Sequence, residues 1–565
     1  MLVKVAVPEI AVGELTYSTE SPIPEGARVI VEVQRTLHAG FAAGEAESVP
    51  GLAIKPVAGV IDEKLMTDYD LWDLAKWGAE VTMCGLSRAL RAIFPRTFCT
   101  GEKVEAPPPL EEKPRAFKEV HCFNPFDSER VNFYVNALKG DERTLVLFPT
   151  SEAARDFFVR LPGGVKSEAV LWSSKHWEAV NAKKFRVVIG TAGAVFAPLS
   201  PQKIIVDDEA STSYVMPYGL KLSARSIAGH RAAFLGAELI LGGCVPSLKT
   251  FMRSRPKQEA KPDRKNIILA DIWTSRKEEA KGIDGQIPLT FSLIRRTYGE
   301  LLHGNNVLWI LRRQGEAQEV YCEKCGSIMK CPHCGRSMRS INDGEMLKCP
   351  SCGFLRELPS SCPECGQSFF KGRRPGIEAL AKIVSMYYPK VRLYVKGSSA
   401  RKGLIIAPDI TALKHVKPSL VAWLDLDAEL WTEDYDSRRR VFTMLYRSLY
   451  SGCPAGEPRK VLVQARRSGM KLAEYLTKGW EKFLADELRE REEFMIPPCG
   501  YMIELDARGK ISRETLTGIL EDEGFFVMDS GDESRPLCVN VESLGEISGV
   551  LEPYVRMLDI TVRSE

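Results

Sequence analysis

Apolar and polar positions alternate along VKVAVPEI and ARVIVEVQ near the start of the chain, with Gly-Glu and Pro-Glu-Gly turns between the segments. Period-two alternation predicts half-buried strands. The spacing becomes helical through DLWDLAKWGAEVTMCGLSRALRAIF, so residues 1–98 read as a small β-rich domain closed by helices. From 120 to 252 the runs TLVLFP, RVVIGT, KIIVDDE and LILGG are continuously apolar and separated by helix-length segments, which predicts a parallel sheet with crossover helices. A second such pattern fills 301–470 with NVLWILRR, VRLYVKG, GLIIAPD, LVAWLDLD and KVLVQAR, broken after its first strand by a cysteine-rich insertion. Residues 471–565 predict one long helix, KLAEYLTKGWEKFLADELREREEF, a stop at Pro497 and Pro498, and a small α+β tail. Proline mixed with charge marks 99–119 as a linker and opens 253–300, a linker and lobe-connecting helix, with the solvated stretch RSRPKQEAKPDRK. The fold class expected is multi-domain α/β.

Composition changes this picture little. The 565 residues carry 77 basic and 74 acidic side chains, a net charge of +3 that does not by itself announce nucleic acid. Gly, Pro or charge interrupts every apolar stretch short of a membrane span, and the N-terminus reads as a strand rather than a signal peptide, so a cytoplasmic protein with no membrane partner is expected.

Cysteine changes it a great deal. Of fifteen cysteines, eight fall in four CxxC pairs within 322–365, with gaps of five, fourteen and nine residues and a glycine after every pair. A CxxC turn converges two thiolates on one tetrahedral ion, so four pairs predict two structural Cys₄ zinc sites. The hairpin-sized middle gap groups Cys331, Cys334, Cys349 and Cys352 in a ribbon. Closing it brings Cys322, Cys325, Cys362 and Cys365 together. His333 reads as a surface residue rather than a ninth ligand. Between Cys322 and Arg374 nine Lys or Arg face five Asp or Glu, a local excess of +4 that hints at phosphate contact.

The order of these cysteines, inserted in the second of two α/β lobes, resembles the PriA family of replication restart helicases. RVVIGTAGAVFAP, IIVDDEASTSY, LILGGCVPSL and FLADELREREEFMIPPCGYM are similar to segments of that family, and LTYSTESPIPEGARVIVEV with IKPVAGVIDE resembles its 3′-DNA-end-binding domain. The resemblance implies two RecA-like helicase lobes, a double zinc ribbon in the second, and an end-binding pocket at Leu15, Thr16, Tyr17 and Lys55, with Thr16 where the family has aspartate. It also implies branched or forked DNA, primosome proteins, the replicative helicase or its loader, and single-stranded-DNA-binding protein as partners, on the nucleoid.

The departures bear on activity. Where the family has a glycine-rich phosphate loop, this chain reads NPFDSERVNFY from Asn124, with Arg130 and Val131 where the loop's Lys and Thr would stand. Asp207, Asp208 and Glu209 keep the acidic box, which reads here as a strand-end turn, and YRSLYSGCP replaces the arginine-bearing segment. The 98–120 interval is too short for the family's winged-helix domain. ATP and Mg²⁺ are not expected. The expectation is a restart factor that binds stalled forks and promotes helicase loading without a motor. The alternatives are an active 3′→5′ helicase with an altered nucleotide site, and a zinc-ribbon scaffold without fork recognition.

Overall fold

The computed structural model describes the chain except for residues 11–12, 48–53, 110–114, 259–260, 273, 275–288, 314–316, 334, 351, 387, 389, 395–401, 431–433, 508–510, 530–534 and 556. It forms two compact units, one of residues 1–124, 130–256 and 488–565 and one of residues 125–129 and 257–487.

In the first unit, β1 (Leu2–Ala6), β2 (Leu15–Ser18), β3 (Arg28–Val33), β4 (Thr36–Glu45) and β5 (Gly59–Val60) make an antiparallel sheet in the order β2-β1-β4-β3-β5. The Tyr69–Thr82 and Leu86–Ile93 helices follow, as the change of period predicts. They do more than close that sheet. Leu71, Trp72, Leu74, Leu90 and Phe94 share one core with Leu145, Leu147, Ile204 and Val206 of the next domain. Two buried ion pairs fasten the same seam, Asp70 to Arg231 at 2.6 Å and Asp68 to Lys183 at 2.6 Å.

That domain is a parallel sheet of β6 (Lys118–Cys122), β7 (Thr144–Leu147), β8 (Ala169–Leu171), β9 (Val187–Gly190), β10 (Lys203–Val206) and β11 (Glu238–Gly242), ordered β6-β11-β10-β7-β9-β8. Its central strands are continuously apolar because both faces are covered: Leu145, Leu147 and Ile204 enter one core, and Val146, Ile205 and Ile240 the other.

The second unit repeats this topology. Strands β12 (Ile267–Asp271) and β13 (Val307–Ile310) precede the cysteine-rich insertion, an antiparallel sheet of β14 (Ala317–Cys322), β15 (Arg339–Ile341), β16 (Met346–Lys348), β17 (Leu355–Glu357) and β18 (Phe370–Pro375). The parallel sheet resumes with β19 (Arg392–Leu393), β20 (Leu404–Ala407), β21 (Leu420–Trp423) and β22 (Lys460–Ala465), in the order β12-β22-β21-β13-β20-β19. Numbered within each lobe, both orders read first, sixth, fifth, second, fourth, third. The 253–300 segment thus contributes an edge strand as well as a connection.

The long helix expected after residue 470 is two helices, Arg467–Lys478 and Trp480–Glu493. Gly479 breaks it with φ +90°, and a side chain there would collide with Gln258. Gln258 Oε1 accepts the Trp480 backbone N–H at 2.8 Å and its Nε2 donates to the Tyr446 hydroxyl at 2.9 Å, so this residue of the expected solvated linker caps the second helix. The tail is an antiparallel sheet of β23 (Tyr501–Ala507), β24 (Val527–Met528), β25 (Leu537–Val541) and β26 (Leu558–Arg563), and it belongs to the first unit. Among the described residues no helix is long and apolar enough to cross a membrane.

Candidate functional site

The four CxxC pairs fold into four copies of one knuckle. The glycine after each pair, Gly326, Gly335, Gly353 and Gly366, has φ between +70° and +77° and donates to the carbonyl of the pair's first cysteine. The first cysteine's N–H is returned to the residue after the glycine, Ser327, Arg336, Phe354 or Gln367. This tight reversal needs the left-handed conformation that glycine adopts without a Cβ clash. It turns the two sulfurs of the Cys322/Cys325, Cys349/Cys352 and Cys362/Cys365 pairs to one side.

Cys322, Cys325, Cys362 and Cys365 converge with their sulfurs all within 4.8 Å of one another, and so do Cys331, Cys349 and Cys352; Cys334, the expected fourth member, lies outside the described residues. The sulfur separations for Cys322–Cys365, Cys325–Cys362 and Cys331–Cys352 are 3.6, 3.7 and 3.6 Å. Tetrahedral zinc with Zn–S bonds of about 2.3 Å requires about 3.8 Å. Either group could hold a metal ion.

The buried core of the insertion is Val320, Met329, Met338 and Leu347 together with Cys322, Cys331, Cys349 and Cys362, so half of it is cysteine. A module with so little apolar core needs another source of folding energy. Backbone N–H groups, chiefly that of Cys325, draw the Cys322 thiol down to about 7, while hydrogen bonds from the neighbouring thiols help push Cys325 up to about 12. His333 is exposed and packs on the Phe354 ring, centroids 4.3 Å apart.

In the first unit the acidic box forms a turn at the carboxyl end of β10, Asp208 taking φ +52°. Its carboxylates are engaged from within the protein. Asp207 Oδ1 accepts from Arg130 Nε at 2.9 Å and from the Tyr134 hydroxyl at 2.9 Å, while Arg130 Nη1 donates to the Asn124 carbonyl at 2.7 Å. Arg130 and Tyr134 stand one turn apart on the Asp127–Ala137 helix and are its two buried residues. Burial first, and then the Asp207 charge, raises the Tyr134 phenol well above its ordinary range, so it stays a donor. Gly242 leaves room for it, since a Cβ there would overlap the Tyr134 hydroxyl.

Glu209, also buried, accepts from Ser247 N at 2.6 Å and pairs with Arg225 Nε at 2.7 Å. Thus guanidinium groups stand against Asp207 and Glu209, where a motor would keep carboxylates open for Mg²⁺ and water. In the second unit, Asp127 Oδ2 accepts from Ser451 Oγ at 3.1 Å and Gly452 N at 3.2 Å. The (i, i+4) spacing of Arg130 and Tyr134 was the sequence signal for a shared face. Nothing in the sequence pointed to Arg225.

In the N-terminal sheet, Leu15, Thr16 and Tyr17 lie on β2, paired with Val5, Lys4 and Val3 of β1. Lys55 is brought beside them, its carbonyl accepting from Ser18 N at 2.9 Å. Both Tyr17 and Lys55 meet Glu32 of β3, which the sequence reading did not single out. The Tyr17 hydroxyl donates to the Glu32 carbonyl at 3.2 Å, and Lys55 Nζ donates to the Glu32 carboxylate at 2.7 Å. Burial and then the Glu32 charge raise the Tyr17 phenol.

Comparison with known proteins adds an independent line. The 3′DNA-binding domain (3′BD) of the PriA family matches residues 3–95. The replication restart protein PriA of Bacillus subtilis is 23% identical over 459 residues, 71% of this chain and 56% of that protein. That of Haemophilus influenzae is 25% identical over 60% of this chain and 49% of its own length, so the chain spans about half of these curated relatives. The Treponema pallidum protein is 23% identical over 89% of this chain and 84% of its own. Among solved structures, S. cerevisiae Dbp5 bound to RNA and ADP BeF3 aligns over 75% of this chain and 98% of its own with a TM-score of 0.35 and 12% identity, too distant to argue from.

Proposed function

From the premise that this chain is a relative of the PriA replication restart proteins, we propose that it is a cytoplasmic, nucleoid-associated restart factor that binds stalled or branched DNA through residues 1–98. It promotes reloading of the replicative helicase without a motor of its own. The observation that carries the reading is the Arg130–Asp207 ion pair: the side chain in the phosphate-loop lysine's place is spent on the acidic box. Glycine-free NPFDSERV supplies no open backbone cradle for phosphates, and Asp127 and Glu129 repel them.

The two cysteine groups hold zinc as structural ions, because four thiolates at each leave no position for water. Leu15, Thr16, Tyr17 and Lys55 form the DNA-end pocket. A second reading, a zinc-ribbon scaffold without fork recognition, is favoured by the Lys55–Glu32 pair, which offsets the charge a terminal phosphate or hydroxyl would meet. A binding titration of purified protein against forks with free and with blocked 3′ ends, at two salt concentrations, tests the proposal. A preference for the free end that persists at higher salt supports it, and equal binding to both forks favours the scaffold.

A further inference from the structure

Arg459, in the second unit, is a buried cation that no carboxylate meets among the described residues; it is 6% exposed. Its Nη2 donates to the Ser451 carbonyl and, at 2.9 Å, to Cys453 Sγ, and its Nε donates to the same sulfur at 3.1 Å. Nη1 is buried and has no partner. Buried guanidinium groups are ordinarily paired with acids, and a buried N–H without an acceptor is rare. The side chain that faces this cation is a thiol.

Cys453 follows the Ser437–Tyr450 helix in a turn where its N–H donates to the Tyr450 carbonyl at 2.9 Å, and it is partly exposed. The sulfur has an acceptor, the Leu449 carbonyl, only at 3.6 Å, against the two N–H donors at 2.9 and 3.1 Å. Charged donors that close favour negative charge on sulfur, the form that attacks electrophiles. We propose that Cys453 is an oxidation site of this chain, with hydrogen peroxide as the oxidant and Arg459 as the group that receives the added oxygen. The sulfur attacks one peroxide oxygen, and the S–O bond forms as the O–O bond breaks. Sulfur loses two electrons to the peroxide, and the departing hydroxide takes up the proton the thiol gave up, which leaves a sulfenic acid on Cys453 and water. The unpartnered Nη1 is the donor for that oxygen.

Other cysteines outside the zinc insertion provide the contrast. Burial pushes the thiols of Cys84, Cys499 and Cys538 up, and that of Cys99 up to about 12. Their sulfurs donate to backbone carbonyls, Cys84 to Gly85, Cys99 to Leu90 and Phe94, Cys499 to Leu488 and Cys538 to Pro536. Thiols held protonated in apolar surroundings are poor nucleophiles.

The test treats zinc-loaded, reduced, full-length protein with one equivalent of hydrogen peroxide in the presence of dimedone, which traps sulfenic acids, and maps the adducts by peptide mass spectrometry. Cys453 is expected to gain the label about tenfold faster than Cys84, Cys99, Cys499 or Cys538. Arg459→Met should slow labelling of Cys453 about tenfold, the worth of one charge-assisted hydrogen bond, and leave the other four rates unchanged. Arg459→Lys, which keeps the charge, should restore part of the rate. Removing a buried arginine can unfold a domain, so the wild-type ranking stands as a test by itself. Labelling of Cys453 no faster than that of Cys84 and Cys499 would overturn the proposal. So would an unchanged Cys453 rate in an Arg459→Met protein with wild-type zinc content and melting temperature.

Discussion

Arg130 and Asp207, separated by 77 positions in the chain, are joined Nε to Oδ1 at 2.9 Å. Arg130 is 4% exposed and Tyr134 shares the same carboxylate oxygen, so removing the guanidinium leaves a nearly buried charge short of its counter-ion. Loss of one partner from such a pair costs about 3 kcal/mol or more. Arg130→Ala is therefore expected to lower stability by that amount in urea unfolding, and Arg130→Met with Asp207→Asn to cost clearly less than Arg130→Ala alone.

The same pairing predicts that DNA-stimulated ATP hydrolysis stays well below about 1 s⁻¹, the low end of ordinary turnover. Arg130→Lys should not raise it, because the chain still lacks the glycine cradle. Turnover at that level, abolished by Asp208→Asn, would restore the helicase reading.

Freshly purified, reduced protein is expected to contain two zinc ions per chain. Cys331→Ser should lower the content at the inner site more than at the outer one, since the outer cysteines are brought together by the separate pairing of β14 with β18. Cys84→Ser and Cys244→Ser should leave it unchanged. Metal analysis returning one ion on the wild type would sink the two-site assignment.

Stability should respond to pH through Glu429. Burial pushes its carboxyl up to about 7 from an ordinary 4.5, against the opposing pull of Arg312. With the folded value above the unfolded one, the folded state holds the proton more tightly, so this contribution is complete below pH 4.5 and lost as pH rises to 7. The loss is about 3 to 4 kcal/mol at about 1.4 kcal/mol per pH unit. Glu429→Gln, which mimics the protonated form, should match wild type at pH 5 and exceed its stability at pH 8 in parallel denaturant titrations.

Lys55 and Glu32 should have opposite effects on DNA. Lys55→Ala is expected to weaken binding to a fork with a free 3′ end several-fold, and Glu32→Gln, which frees the ammonium group and removes a nearby anion, to strengthen it. Equal affinities for wild type and both variants would place the end contact elsewhere.

The sequence by itself determined what rests on neighbouring residues. A CxxC pair followed by glycine can close the same knuckle wherever it occurs, and continuously apolar runs such as VVIG and KIIV demand cover on both faces. So the knuckles, the ligand grouping and most strands of both lobes were legible. Side-chain meetings across long stretches were decided only by tertiary structure. That Arg130 reaches Asp207, that Gln258 caps a helix more than 200 residues away, and that Glu32 lies between Tyr17 and Lys55 depend on strand order. The shared order of the two lobes was invisible for the same reason. Topology is stored in which apolar faces pack together, and many different apolar residues satisfy the same packing, so no repeated motif need survive in the chain.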